Sequence, residues 1–260
     1  MKKIIALALV LVMCMALLAG CTEKGGNEVE NSEASKAAET KTLVMGTNAA
    51  FPPYEFTDDN GKIVGIDAEI AQAICDKLGY KLEIKDMEFD SLVPAVQAGS
   101  IDFAMAGMTV TDERKQSVDF SNSYATGIQA VVVKEGSAIK SVDDLAGKTI
   151  GVQSGTTGDI YCTDDYGQDH VKQYQNGALA VAALVNDQVD CVVIDNEPAK
   201  SFVAANAGLA ILDTSYAVEE YAAAIAKDNT ELLTGFNNAL KALTEDGTIG
   251  KIIGKYIKAE

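Results

Sequence analysis

Ala106-Gly107-Met108-Thr109-Val110-Thr111-Asp112-Glu113-Arg114, running on to Val118-Asp119-Phe120-Ser121, decides how this chain is read. The apolar residues 101–105 ahead of it read as a buried strand. The abrupt polar turn at Thr111-Asp112-Glu113 reads as a helix start. Thr109 therefore falls at the carboxyl end of a strand, and Arg114 in the first turns of the next helix. In open α/β sheets that edge is where ligands bind. A hydroxyl, a run of turn N–H groups and a guanidinium fork gathered there suit a small carboxylate.

Short apolar strands alternate with amphipathic helices on both sides of this stretch. Residues 43–47 read as a strand. Residues 66–78 read as a helix capped by Asp67, with Ile70, Ile74 and Leu78 on one face. Leu82 and Ile84 alternate as in a strand. Asp90 is expected to cap a helix over 91–97, with Pro94 in its first turn. A second set begins near Ile128: strands over 130–134, 149–152 and 190–195, and helices after Ser154-Gly155-Thr156-Thr157-Gly158 and over 178–185. Pro198 suits the first turn of another helix. Residues 221–227 read as a strand, 229–243 and 249–257 as helices. Such alternation predicts α/β architecture with largely parallel sheets. Two similar sets predict two lobes, and no Pro/Ser-rich linker separates them near Tyr124 or Tyr221.

The N-terminus reads as a targeting segment. Lys2 and Lys3 precede an apolar run over 4–18, too short for a comfortable membrane span, and Leu18-Ala19-Gly20-Cys21 ends it. An ordinary signal peptide or a retained anchor is the alternative to a lipoprotein signal in which Cys21 carries lipid. Residues 21–40 are Glu-, Lys-, Asn-, Ser- and Ala-rich and have little to bury. They read as a disordered tether that holds the domain roughly 25 Å from its anchor.

Composition excludes several classes. The formal net charge of the 260-residue chain is −17, and loss of the leader with its two lysines makes it more negative still. So acidic a chain has no electrostatic footprint for nucleic acid. Of five cysteines, Cys14 leaves with the leader and Cys21 is the lipid candidate. Cys75 and Cys191 sit in apolar segments as core thiols, and a Cys162–Cys191 disulfide is left open. The single histidine, His170, lies in a polar loop, so neither a metal site nor a Ser-His-Asp triad is expected. No cofactor is implied.

Three strand-end features remain: Thr109 with Arg114, the Gly-Thr loop Gln153-Ser154-Gly155-Thr156-Thr157-Gly158, and Asp195 after Cys191-Val192-Val193-Ile194. Singly, each reads as a solvated arginine, a tight turn and a helix cap. Together they supply both partners of a zwitterionic amino acid.

The chain resembles the family 3 extracytoplasmic solute-binding proteins of polar amino acid ABC transporters. Gly65-Ile66-Asp67-Ala68-Glu69-Ile70 with Ile74-Cys75 is similar to the family signature, Ala68 departing from it. Residues 106–121 are closest in motif to glutamine-binding proteins, and Asp246-Gly247-Thr248 with Lys255-Tyr256 resembles the closing helix. The resemblance implies a periplasmic-binding-protein-like fold of type II, with lobe 1 over 41–124 and 220–260 and lobe 2 over 125–219, hinged by two crossings. It implies that Arg114 forks onto the α-carboxylate, assisted by the hydroxyl and N–H of Thr109 and the N–H of Thr157, with Ala106 and Thr156 among the further ligand-binding residues. Asp195 and the Gly107 carbonyl take the α-ammonium, and Phe51 and Phe89 sandwich the side chain. Asn48 and Gln153 stand near the ligand tip, where two neutral amides suit a neutral polar side chain of glutamine size. Glu55 or Glu197 within reach of a basic tip keeps arginine or lysine open. The implied partners are a free amino acid, a cognate permease and, through the lipid, a membrane. The protein is expected to act as a monomer. A cyclohexadienyl dehydratase-like enzyme and a ligand-presenting sensory protein are the competing functions on this fold.

Overall fold

The computed structural model describes residues 41–213 and 216–258. The readings of residues 1–20 as leader, of Cys21 as the lipid-bearing residue and of 21–40 as tether lie outside the described residues.

β1 (Thr42–Thr47) is followed by three very short strands, β2 (Ala50–Phe51), β3 (Glu55–Thr57) and β4 (Ile63–Val64), which pair antiparallel as a small separate sheet. Strands of two or three residues carry no periodicity, and the sequence reading did not contain them. Helix α1 (Ile66–Leu78) matches expectation because Ile66, Ile70 and Ile74 recur at helical spacing and are wholly buried. Its start differs. Gly65 stands at the cap position, and Asp67 lies inside the first turn with its side chain turned into the protein.

β5 (Lys81–Asp86) then leads through a 3-10 turn, Phe89–Ser91, into α2 (Leu92–Gln97). Asp90 is part of that turn and makes no cap. β6 (Phe103–Ala104), the one-turn helix α3 (Arg114–Ser117) and β7 (Val118–Phe120) complete this half.

The chain then enters β8 (Ala125–Lys134), a strand of ten residues that begins earlier than its apolar run. After it come β9 (Ile150–Gln153), α4 (Thr157–Tyr166), β10 (Val171–Tyr174), α5 (Gly177–Val185), β11 (Cys191–Asp195), α6 (Asn196–Ala205), β12 (Leu209–Ile211) and β13 (Ala217–Tyr221). β14 (Ala224–Ala226), α7 (Thr230–Glu245) and α8 (Thr248–Tyr256) end the described chain. The single strand expected over 221–227 is thus two strands in two sheets, with Ala222 and Ala223 carrying the chain from one to the other.

The first sheet has the order β5-β1-β6-β14-β7, and the second β10-β9-β11-β8-β12 with β13 also on β8. In each sheet the βα units pair in parallel: β1 with β5 and β6, β9 with β10 and β11. The strands that pass between sheets add antiparallel pairs, β14 to the first and β8 to the second. Both sheets are therefore mixed. β8 and β13 form an antiparallel ribbon, Ala125 opposite Tyr221 and Gln129 opposite Ala217, at the two passages that join the sheets. On the first sheet α1 packs with α7 and α8, burying Leu232, Phe236 and Leu240. Cys75, Cys162 and Cys191 are buried free thiols, so the disulfide left open in the sequence is not formed.

Gly65 fixes how α1 begins. Its φ is 124°, and a methyl group there would stand 2.2 Å from the Tyr54 carbonyl oxygen, which accepts the Asp67 N–H at 2.9 Å. Replacing Gly65 by Ala is expected to cost upward of about 2 kcal/mol, from backbone strain and overpacking together. The control Gly79→Ala, at a positive φ but in open space, should cost about 1 kcal/mol. Urea unfolding midpoints compare the two, and equal costs would contradict the close approach.

Candidate functional site

The carboxyl ends of β1, β6, β9 and β11 converge on one cavity. It is lined by Asn48, Phe51, Glu55, Phe89, Ala106, Gly107, Thr109, Arg114, Gln153, Thr156, Thr157 and Asp195. All eleven candidate ligand-binding residues of the sequence analysis are brought together, with Glu55 added. The space between these residues is about 300 Å³, part of it open to solvent, and little of it has room for a water molecule. Its walls thus stand close together. Side-chain bonds that join the halves across it include Gln153 Nε2 to Asn48 Oδ1 at 3.0 Å, Arg114 Nη2 to the Gly155 carbonyl at 2.9 Å, and Ser154 Oγ to Asp90 Oδ2 at 3.1 Å.

Arg114 is nine-tenths buried at the first residue of α3. Nη1 donates to the Thr109 carbonyl at 2.7 Å, and the guanidinium carbon lies 5.2 Å from the centre of the Phe89 ring. Two carbonyls and an aromatic face thus aim a fork that retains its charge when desolvated. Thr156 caps α4, accepting the Asp159 N–H and donating to the Gln153 carbonyl at 2.8 Å. Thr156 and Thr157, at the start of α4, line the cavity, and a helix N-terminus favours an anion.

Asp195 ends β11 on the other side. It occupies the cap position of α6 but makes no side-chain cap bond. Tyr221 Oη donates to Oδ1, and Gln129 Nε2 donates to Oδ2 at 2.9 Å. Gln129 Nε2 also lies 3.0 Å from Glu219 Oε2, which accepts the Thr109 hydroxyl at 3.1 Å. Burial raises the Asp195 carboxyl to about 7, and nearby Glu219 pushes in the same direction. A carboxylate held by neutral donors alone is a ready acceptor for a cation.

Asn48 is fixed by Nδ2 donating to the Met87 carbonyl at 2.9 Å, so its oxygen meets Gln153. Behind them, Glu55 and Asp67 are buried side by side. Asp67 Oδ2 accepts the Gly107 N–H at 2.8 Å and the Tyr124 hydroxyl at 2.7 Å. Glu55 was named in the sequence only as a group within reach of a basic tip. It sits between Tyr54 and Phe56 in an otherwise aromatic stretch, and a charge in such a run was the available signal. Glu197 does not line the cavity. His170 precedes β10 at Val171, the end of the strand opposite Tyr174, which pairs with cavity-lining Gln153. It is therefore remote from the site. Among the described residues no cluster of His, Cys, Asp or Glu suits a metal ion, and no helix is long and apolar enough to cross a membrane.

Two α/β sheets joined by two passages, with one cavity between their strand ends, define a periplasmic-binding-protein-like fold of type II. Residues 43–259 match the model of the bacterial extracellular solute-binding proteins, family 3, and the chain belongs to that family. It is 35% identical over 253 residues to the arginine-binding extracellular protein ArtP of Bacillus subtilis (strain 168), covering 95% of this chain and 98% of that one. Among solved structures it is similar to an ancestral arginine-binding protein bound to glutamine, at 44% identity and a TM-score of 0.80, covering 84% of this chain and 98% of the other. The ancestral arginine-binding protein bound to arginine gives 46% identity and a TM-score of 0.78 over 83% and 98%.

The raised carboxyls have a thermodynamic consequence. Asp195 titrates at about 7 and Asp67 at about 6 when folded, against ~3.9 for an unfolded aspartate. Between those values the folded state holds more protons than the unfolded one, so this contribution to stability is lost as pH rises. The variant Asp195→Asn escapes its share. Its unfolding free energy relative to the wild type should improve between about pH 5 and about pH 8. A difference that stays constant in urea titrations at the two pH values would contradict the buried setting of Asp195, in which only neutral donors bond its carboxylate.

Proposed function

We propose that this chain captures a free amino acid outside the cytoplasm and delivers it to an ABC transporter permease, with a basic side chain, arginine foremost, preferred over glutamine. The carrying observation is that Arg114 and Asp195, opposite charges on different sheets, line the same cavity. The α-carboxylate lies in the Arg114 fork with the Thr109 and Thr157 N–H groups beside it, and the α-ammonium lies on Asp195 and the Gly107 carbonyl. Phe51 and Phe89 flank the side chain. Family membership and the arginine- and glutamine-bound ancestral relatives support this reading.

The two amides Asn48 and Gln153 favour a neutral tip by themselves, but they bond to each other. Glu55, wholly buried on the cavity wall, shifts the balance. A desolvated carboxylate gains most from a guanidinium. A cavity whose walls stand this close admits its ligand by separation of the sheets about the passages 120–125 and 221–224. Lobes over 41–124 with 220–260 and over 125–219, a lipid anchor at Cys21 and a monomeric protein complete the proposal. Binding is favoured over catalysis because the one histidine is remote from the cavity, and incubation with prephenate or arogenate should yield no product.

Calorimetry with arginine, lysine, histidine, glutamine and cystine tests the assignment. Arginine should bind most tightly. Arg114→Ala should cost about 2–5 kcal/mol, a loss of roughly 30- to several-thousand-fold, and a loss below about threefold would remove Arg114 from the site. Glu55→Gln should weaken arginine by about 1.5–3 kcal/mol, roughly ten- to a hundredfold, while leaving glutamine little changed. Equal effects on both ligands would contradict the preference for a basic tip.

A further inference from the structure

Glu55 and Asp67 pose a problem of unsatisfied acceptors. Glu55 Oε1, Glu55 Oε2 and Asp67 Oδ1 are buried side-chain oxygens that accept no hydrogen bond from any donor. Asp67 Oδ2 is already committed to the Gly107 N–H and the Tyr124 hydroxyl. The two carboxyls lie within hydrogen-bonding reach of each other. That contact becomes a bond only if a proton lies between them. Two buried carboxylates sharing a site cannot both ionise cheaply, and one retains its proton.

Among the described residues, none of the groups that act most strongly on the pair is a cation that would relieve this. The charged and titratable groups acting on the pair are Asp86, Asp195 and Tyr54, with Tyr124 on Asp67 and Glu197 acting on Tyr54. All of these add negative charge or none. The cavity's cation, Arg114, is engaged with the Thr109 and Gly155 carbonyls.

We propose that the empty site holds one proton between Glu55 and Asp67, and that a cationic ligand side chain replaces it, so that capture of a basic amino acid releases a proton that capture of its neutral counterpart does not. The balance is simple. The carboxylic acid at Glu55 loses its proton to the solvent, both carboxyls become carboxylates, and the ligand's guanidinium takes the place of the lost charge at Glu55. Asp67 keeps its bonds to Gly107 and Tyr124 throughout. Burial and the neighbouring Asp67 hold the Glu55 carboxyl well above the usual carboxylate range, and burial raises Asp67 to about 6. Asp67 thus acts as a positioning residue, setting the protonation state of the group that meets the side chain. Since Asp67 also tethers Gly107 in the cavity wall and Tyr124 at the first passage, the charge read at Glu55 is joined to both. This proposal rests on the reading of the site as an amino-acid clamp.

Arginine and citrulline, its neutral isostere, separate the two ideas. Both bring an α-ammonium to Asp195, so proton release there cancels between them. Calorimetry at neutral pH in buffers of different ionisation enthalpy should show about one more proton released with arginine than with citrulline. The difference should vanish in Glu55→Gln. In Asp67→Asn, whose amide can donate to Glu55, its midpoint should move at least about one pH unit lower. Equal release by the two ligands in the wild type, or an unmoved midpoint in Asp67→Asn, would overturn the proposal. If neither ligand binds, the clamp reading fails and infrared spectra of the ligand-free protein decide the proton alone. Beside the band that Asp195 contributes, a second buried carboxylic-acid carbonyl component should be present at neutral pH, lost in Glu55→Gln, and titrate at lower pH in Asp67→Asn. Identical spectra for wild type and Glu55→Gln would overturn it.

Discussion

The buried carboxylate of Asp195 is the point on which this structure turns. It ends a strand of the second sheet, yet its two oxygens are held by Tyr221 and Gln129, from the two strands of the ribbon that joins the sheets. Gln129 in turn meets Glu219, and Glu219 accepts from Thr109 at the carboxyl end of the first sheet. One continuous polar chain therefore runs from one wall of the cavity through the connecting ribbon to the other. A buried network of this kind is costly when partly satisfied and rigid when complete. The ribbon thus serves as part of the site's foundation as well as a connection.

Electrostatics explain why the site should prefer a ligand of a particular charge distribution. The cavity wall carries one guanidinium and two carboxylates, Glu55 and Asp195, with Asp67 and Glu219 just behind. In the proposed complex Arg114 would take one anionic group of the ligand. The carboxylates remain short of positive charge, and burial holds them above their usual titration range. A zwitterion with a cationic tail relieves that shortage at both ends. In the proposed complex the aromatic faces of Phe51 and Phe89, both on the cavity wall, would contribute dispersion along the methylenes between the two poles.

How much of this could be read from residues alone varied with the kind of signal. Long elements announced themselves: α1 through Ile70, Ile74 and Leu78, α4 through the Gly-Thr loop ahead of it, β11 through an unbroken apolar run. The reading of Thr109, Arg114 and Thr157 as residues of one ligand-facing edge also followed from local chemistry, and all three line the cavity. What was not readable depended on distant partners. Asp67 looked like a helix cap, because nothing in its neighbourhood says that Gly107 and Tyr124 will surround its carboxylate. Asp90 looked like a cap as well, and instead receives Ser154 from across the cavity. The division of residues 217–226 into strands of two sheets was hidden, since Ala222 and Ala223 are buried and apolar like their neighbours. Phe51 and Phe89 read as core residues from the sequence pattern, and only the family resemblance assigned them to a ligand.

The central claim is the orientation of an α-amino acid between Arg114 and Asp195. A crystal structure of the protein soaked or grown with arginine measures it most directly. Ligand density is expected in this cavity, with the α-carboxylate in the Arg114 fork, the α-ammonium on Asp195, and the guanidinium beside Glu55. Density with the ends exchanged, or a ligand bound elsewhere while the cavity between the two sheets stays unchanged, would contradict it.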